Sequence, residues 1–122
     1  MNPAELFARE PNPIRLSPGE ALFQAGEPGD GMYVVLEGAL EVVIGDRILE
    51  RPNRGSIIGE MALIDQSPRS ATVVAREPSL LAKLDTKRFQ HVIQQNPFFA
   101  THVMKVLVDR IRRIDHERST KP

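Results

Sequence analysis

One short stretch concentrates groups able to hold a small anion. Gly59-Glu60-Met61-Ala62-Leu63-Ile64 follows the apolar Ser56-Ile57-Ile58 and reads as a single helical turn after a strand. A glycine at its start lets a ligand approach the backbone closely. The first N–H groups of such a turn have no partner inside it and carry partial positive charge, which favours an anion. Arg69 comes nine residues after Glu60, just behind Ser67-Pro68. Arginine stays charged and grips a phosphate with two parallel donors. Proline before it fixes the approach of the chain. Ser70-Ala71 then lead into Thr72-Val73-Val74-Ala75, an apolar run. The carboxylate of Glu60 is the informative oddity. It repels an anion unless it accepts hydrogen bonds from the ligand, and a sugar hydroxyl is such a donor. The pair therefore points to a sugar phosphate. The same two residues also read as a structural ion pair in a turn, and their types alone leave both readings open.

Other chemistries find little support. There are no cysteines, so disulfides, cysteine-ligated metals and thiol nucleophiles are excluded. His91, His102 and His116 have no carboxylate at a metal-motif spacing and read as surface or packing residues. No arrangement of serine, histidine and carboxylate marks a hydrolase, and no metal cluster marks a phosphodiesterase. We therefore expect neither an enzyme nor a metal or organic cofactor. The charge balance is even, with 16 Lys+Arg against 16 Asp+Glu, so no global field draws the chain to nucleic acid or membrane. Arg110, Arg112, Arg113, Arg118 and Lys121 make the C-terminal part locally basic, which complements a helix dipole. Met1 to Pro13 holds three prolines and no long apolar run, unlike a signal peptide. No apolar run approaches the ~20 residues of a membrane helix. The expected setting is cytoplasmic.

The elements that must position the loop follow from the spacing of apolar residues. The length of 122 residues suits one domain. From Arg15 to about Asp85, short apolar segments alternate with glycine, proline and aspartate. Strands are expected at Ala21–Gln24, Met32–Leu36, Leu40–Ile44, Arg47–Leu49, Ser56–Ile58, Ala71–Ala75 and Leu80–Leu84. Gly45-Asp46 is a tight hairpin candidate. Asp30 reads as a turn residue and Tyr33 as core. So many short strands imply an antiparallel barrel or sandwich. From Thr86 the period becomes helical. Asp85-Thr86 caps a helix from Lys87 to Gln95, Asn96-Pro97 stops it, and a last helix runs from Phe98 to about Glu117. Its Ala100, Met104, Leu107, Ile111 and Ile114 are spaced four and three apart, a heptad seam that Val103 and Val108 widen. The seam serves docking on the chain's own barrel, a two-stranded homodimer, or both.

The run Gly59-Glu60-Met61-Ala62-Leu63 with Pro68-Arg69-Ser70-Ala71-Thr72-Val73 closely resembles the phosphate-binding cassette of cyclic-nucleotide-binding domains. That family includes the regulatory subunits of cAMP-dependent kinase and the catabolite activator protein. The upstream Gly26-Glu27-Pro28-Gly29-Asp30-Gly31-Met32-Tyr33-Val34, then Glu37-Gly38 and Leu40-Glu41-Val42, resembles the family's other signature, in which the glycines shape barrel turns. The resemblance runs from about Pro13 to Ile114. It implies a jelly roll, or double-stranded β-helix, over about residues 14–85, a cassette at 58–73, and C-terminal helices at 86–118, all in one domain of residues 1–122. It implies that Glu60 accepts from the ribose 2′-hydroxyl and Arg69 pairs with the cyclic phosphate. The backbones of Gly59 and Ala62, and Ser70, would bind sugar and phosphate, with Met61 and Ala71 beside them. Val43, Ile57 and Ile58 are wall candidates; Ile58 stands where the family often has phenylalanine. In the family, threonine after the arginine favours cGMP and alanine favours cAMP. Ser70 lies between, with serine also found in bacterial cAMP receptors, so cAMP is the expected ligand and cGMP the open one. Ligand is expected to act on the last helices and through them on an effector protein. Only Ser119-Thr120-Lys121-Pro122 follow the long helix, so no helix-turn-helix is expected to read DNA. The alternative is a module that keeps the fold, binds partners and binds no nucleotide.

Overall fold

The computed structural model describes residues 2–119, with side chains through residue 113. Eight strands carry the fold: β1 Ile14–Leu16, β2 Ala21–Phe23, β3 Met32–Glu37, β4 Leu40–Ile44, β5 Arg47–Glu50, β6 Ile57–Ile58, β7 Thr72–Ala75 and β8 Ser79–Leu84. One four-stranded sheet has the order β1-β8-β3-β6 and the other β2-β7-β4-β5, and the pairs are antiparallel. The pairing is nested: β4 meets β5 across Gly45-Asp46, β3 meets β6, β2 meets β7 and β1 meets β8. The strands thus form one long hairpin, rolled so that successive pairs fall in alternate sheets. This is the expected jelly roll.

Strand alternation places one face of each sheet inward. Leu16, Phe23, Tyr33, Val35, Leu40, Ile58, Val73, Ala75 and Leu81 form a single buried cluster drawn from both sheets. Apolar burial on this scale is the main driving force for such a fold.

Two elements escape the sequence pattern. β1 lies between Pro13 and Pro18 and is too short to show a period. It becomes a strand because β8 offers a register, Ile14 opposite Leu81 and Leu16 opposite Ser79. α1, Pro3–Leu6, is a single turn. Asn2 Oδ1 caps it by accepting from the Ala4 N–H at 2.9 Å, and Ala4 and Phe7 are buried.

α2 spans Thr86–Gln95 and α3 Pro97–Ser119. Asp85 Oδ1 caps α2 by accepting from the Arg88 N–H at 2.7 Å. Arg88 also donates to the Lys83 carbonyl at 2.8 Å and to Glu10 Oε2 at 2.7 Å, tying the N-terminal segment to the end of β8. Two compact units divide the chain, with their boundary between Arg88 and Phe89. In the second, the Phe89 and Phe99 rings lie 6.2 Å apart. The heptad seam is split by burial. Val103 is buried and Ala100 and Leu107 are half-buried, while Met104 and Ile111 are 56% and 58% exposed. The side chains of Ile114, His116, Glu117 and Arg118, and residues 120–122, lie outside the described residues. No described helix is long and apolar enough to cross a membrane.

Candidate functional site

The turn expected after β6 forms as a 3-10 helix over Glu60–Leu63. Gly59 precedes it with φ +75°, a left-handed conformation that glycine adopts without strain. A β-carbon there would also lie 2.5 Å from Arg69 Nη1. The backbone conformation favours glycine, and any side chain there would also have to displace the guanidinium packed against it.

Arg69 is only 7% exposed. Its Nη2 donates to the Gly31 carbonyl at 2.9 Å and its Nη1 to the Gly59 carbonyl at 3.3 Å. The guanidinium lies 4.2 Å from the Phe23 ring centroid and 5.6 Å from that of Tyr33. Aromatic faces attract cations, which offsets part of the cost of burying the charge. The Nε of Arg69 is buried and makes no hydrogen bond among the described residues. A guanidinium held by two carbonyls, with a further donor unused, is fixed in direction and retains its charge for an anion. Glu60 is 1% exposed, the same loop's buried acid. Carboxylates are almost never buried to this degree without a polar partner.

The upstream glycine run frames this loop directly. The Gly26 N–H donates to the Arg69 carbonyl and the Arg69 N–H to the Glu27 carbonyl, each at 2.8 Å. A β-carbon on Gly29 would come within 2.7 Å of the Ser67 carbonyl oxygen and 2.8 Å of the Ala62 β-carbon. Gly29 thus lets residues 26–31 lie flat against the cassette. Asp30 does more than shape its turn. Its Oδ2 meets Lys83 Nζ at 2.9 Å and its Oδ1 lies 3.6 Å from Arg69 Nη2. The hydrogen bond from Lys83 holds the Asp30 carboxyl below its ordinary range, and the same bond raises Lys83. Tyr33 is core, as expected.

The structure gathers Gly59, Glu60, Ala62, Arg69 and Ala71 in or against one loop, all but half-buried Gly59 being buried. Ser70 and Met61 are exposed. The Ala62 N–H donates within the turn, to the Gly59 carbonyl at 3.2 Å. Ile58 belongs to the inner cluster; Ile57 is buried outside it. Val43 pairs with Thr72, whereas Val42 pairs with Val73 of the inner cluster and packs against it. Alternation therefore puts Val42 inward and Val43 on the opposite face. Two adjacent valines carry no signal for which of them faces in. Phe23, Asp30 and Lys83 carry no local signal for the site, because their link to Arg69 is made across the fold.

The family model described as cyclic nucleotide-binding domain matches residues 13–96. The cAMP-dependent protein kinase type II regulatory subunit of Drosophila melanogaster is 29% identical over 97 residues, which are 80% of this chain and 26% of that protein. The chain thus spans about a quarter of that curated relative. The Thermus thermophilus catabolite activator protein superposes with a TM-score of 0.79 at 28% identity, over 88% of this chain and 53% of that one. A protein of a cyclic-GMP-dependent signalling pathway that regulates bacterial phytopathogenesis superposes with a TM-score of 0.76 at 29% identity, over 93% and 95%. A jelly roll with this loop, matched over most of its length by that model, belongs to the cyclic nucleotide-binding domain family.

Proposed function

We propose that the domain is a regulatory module that binds a cyclic nucleotide, cAMP in preference to cGMP, in the cassette of residues 58–73. The observation that carries this reading is the buried Arg69, gripped by two backbone carbonyls and keeping an unused Nε–H. A phosphate satisfies both the charge and the donor. In this reading Arg69 pairs with the cyclic phosphate and Glu60 accepts from the ribose 2′-hydroxyl. Gly59, Ala62, Ser70 and Ala71 line the sugar and phosphate, with Met61 at the rim. Ile58 and Val42 supply the inner apolar wall near the base, in place of Val43; Ile57 backs the strand.

The preference for cAMP draws on Ser70 after the arginine and on the named activity of the kinase relative. The relative from a cyclic-GMP-dependent pathway favours the second reading, cGMP at the same site. The domain holds no catalytic group in this reading and acts by binding, as one module across the whole chain. Ligand acts on α2 and α3, which follow β8 with no loop beyond Asp85, and through them on an effector protein. The exposed Met104, Val108 and Ile111 serve as a homodimer contact.

Isothermal titration with cAMP and cGMP tests the reading. We expect saturable binding of both, at least about tenfold tighter for cAMP, which is ~1.4 kcal/mol. Absence of heat and of a thermal shift with either nucleotide at millimolar concentration overturns it in favour of a fold-retaining interaction module. Tighter binding of cGMP reverses the preference alone.

A further inference from the structure

We propose that Lys83 is a positioning residue for the anion site: it is the counter-ion that lets Asp30 brace Arg69 without opposing a bound phosphate. The proposal rests on the cyclic-nucleotide reading and adds a residue outside the cassette to it.

The geometry begins with Asp30. Its Oδ1 lies 3.6 Å from Arg69 Nη2, on the nitrogen that also donates to Gly31. The carboxylate therefore helps fix the guanidinium. It is also an anion beside the cation that is to receive an anion, and it is 64% exposed whereas the arginine is buried. Left alone, Asp30 would cancel the charge of Arg69 and repel a phosphate arriving there.

Lys83 answers that problem from another strand. It stands on β8 opposite Tyr33 of β3, and its Nζ bonds Asp30 Oδ2 at 2.9 Å. The Tyr33 ring lies 6.0 Å from Lys83 Nζ and 5.6 Å from the Arg69 guanidinium, so one aromatic residue neighbours both cations. The two oxygens of Asp30 are thus divided, one toward each cation. By formal charge the cluster Arg69–Asp30–Lys83 carries one net positive charge with Lys83 present and none without it. The lysine is 40% exposed, so its effect is moderate and screened by salt.

The test is a cycle of variants read by nucleotide titration at low and high NaCl, with melting temperatures as a folding control. Lys83→Met is expected to weaken cAMP binding about 5- to 20-fold at low salt and by less at high salt. Lys83→Arg, which keeps the charge, should bind within about twofold of the unaltered protein. Adding Asp30→Asn to Lys83→Met should recover most of the loss, because the opposing charge is gone; a merely structural lysine gives no such rescue. Lys83→Gln repeats the measurement should the methionine variant aggregate. Unchanged affinity in Lys83→Met and Lys83→Gln, or a loss that Asp30→Asn does not relieve, overturns the role of Lys83 while leaving nucleotide binding intact. Failure of the unaltered protein to bind either nucleotide overturns the functional reading and this role together.

Discussion

The cassette and the last helix solve different problems with different materials. Residues 58–73 bury two charged side chains, Glu60 and Arg69, at 1% and 7% exposure, and the arginine is held by the Gly59 carbonyl within the loop and the Gly31 carbonyl from the glycine turn. α3 does the reverse. It leaves Met104, Val108 and Ile111 in solvent and buries Phe99 and Val103. Burying a charge is costly unless it is paired, and exposing an apolar stripe forgoes the gain from burial. Two backbone carbonyls offset that cost at Arg69, whereas the helix leaves its apolar stripe in solvent. The two ends therefore rest on different features. The cassette depends on particular residues at particular positions, and the helix depends on a pattern that many apolar residues satisfy.

Substitutions test the difference between the two regions. The largest effect belongs to Phe99 of α3. Phe99 is fully buried, so Phe99→Ala should destabilise by about 3–5 kcal/mol in chemical denaturation. A loss under about 1 kcal/mol would show that α3 is held by pattern alone. Arg69→Ala comes next, with nucleotide affinity expected to fall at least about 100-fold by titration, since charge-assisted hydrogen bonds are lost. Retained binding would remove the cassette's claim to depend on single residues. Gly29→Ala sharpens the point within the framing turn. Its new methyl would press on the Ser67 carbonyl and on Ala62, for a cost of about 1–3 kcal/mol by thermal melting. A neutral result would mean that residues 26–31 need not lie flat against the cassette. The smallest effect on stability should be that of Ile111→Glu, within about 0.5 kcal/mol because the side chain is already exposed. The same variant should shift the sedimentation coefficient toward monomer. An unchanged oligomeric state would remove the dimer role given to the stripe.

The degree to which each region was legible follows from the same contrast. The cassette could be read because Gly59, Glu60, Pro68 and Arg69 are contiguous in two short runs whose chemistry is local. Seven of the eight strands could be read because each carries its own apolar residues between turn formers. β1 could not, since three residues beside prolines show no period and only the register with β8 makes them a strand. β4 was legible as a strand, but not which of its faces turns inward. Val42 and Val43 are the same side chain one position apart, and the pairing with Val73 decides which one faces inward.

The strand-rich class, the helical end, and the loop in which a glycine, an acid and an arginine stand at fixed spacing can all be read along the chain. Those properties are carried by neighbours in the chain, through backbone preference and apolar period. What surrounds Arg69 is fixed only once the strands have paired. Phe23, Asp30, Gly31 and Lys83 approach it from β2, the glycine turn and β8, as much as 46 residues away in the chain at Phe23 and never fewer than 14 at Lys83. Long-range contacts of that kind depend on which strands pair and in what register, and pairing is set by the packing of the whole core rather than by any segment's own composition.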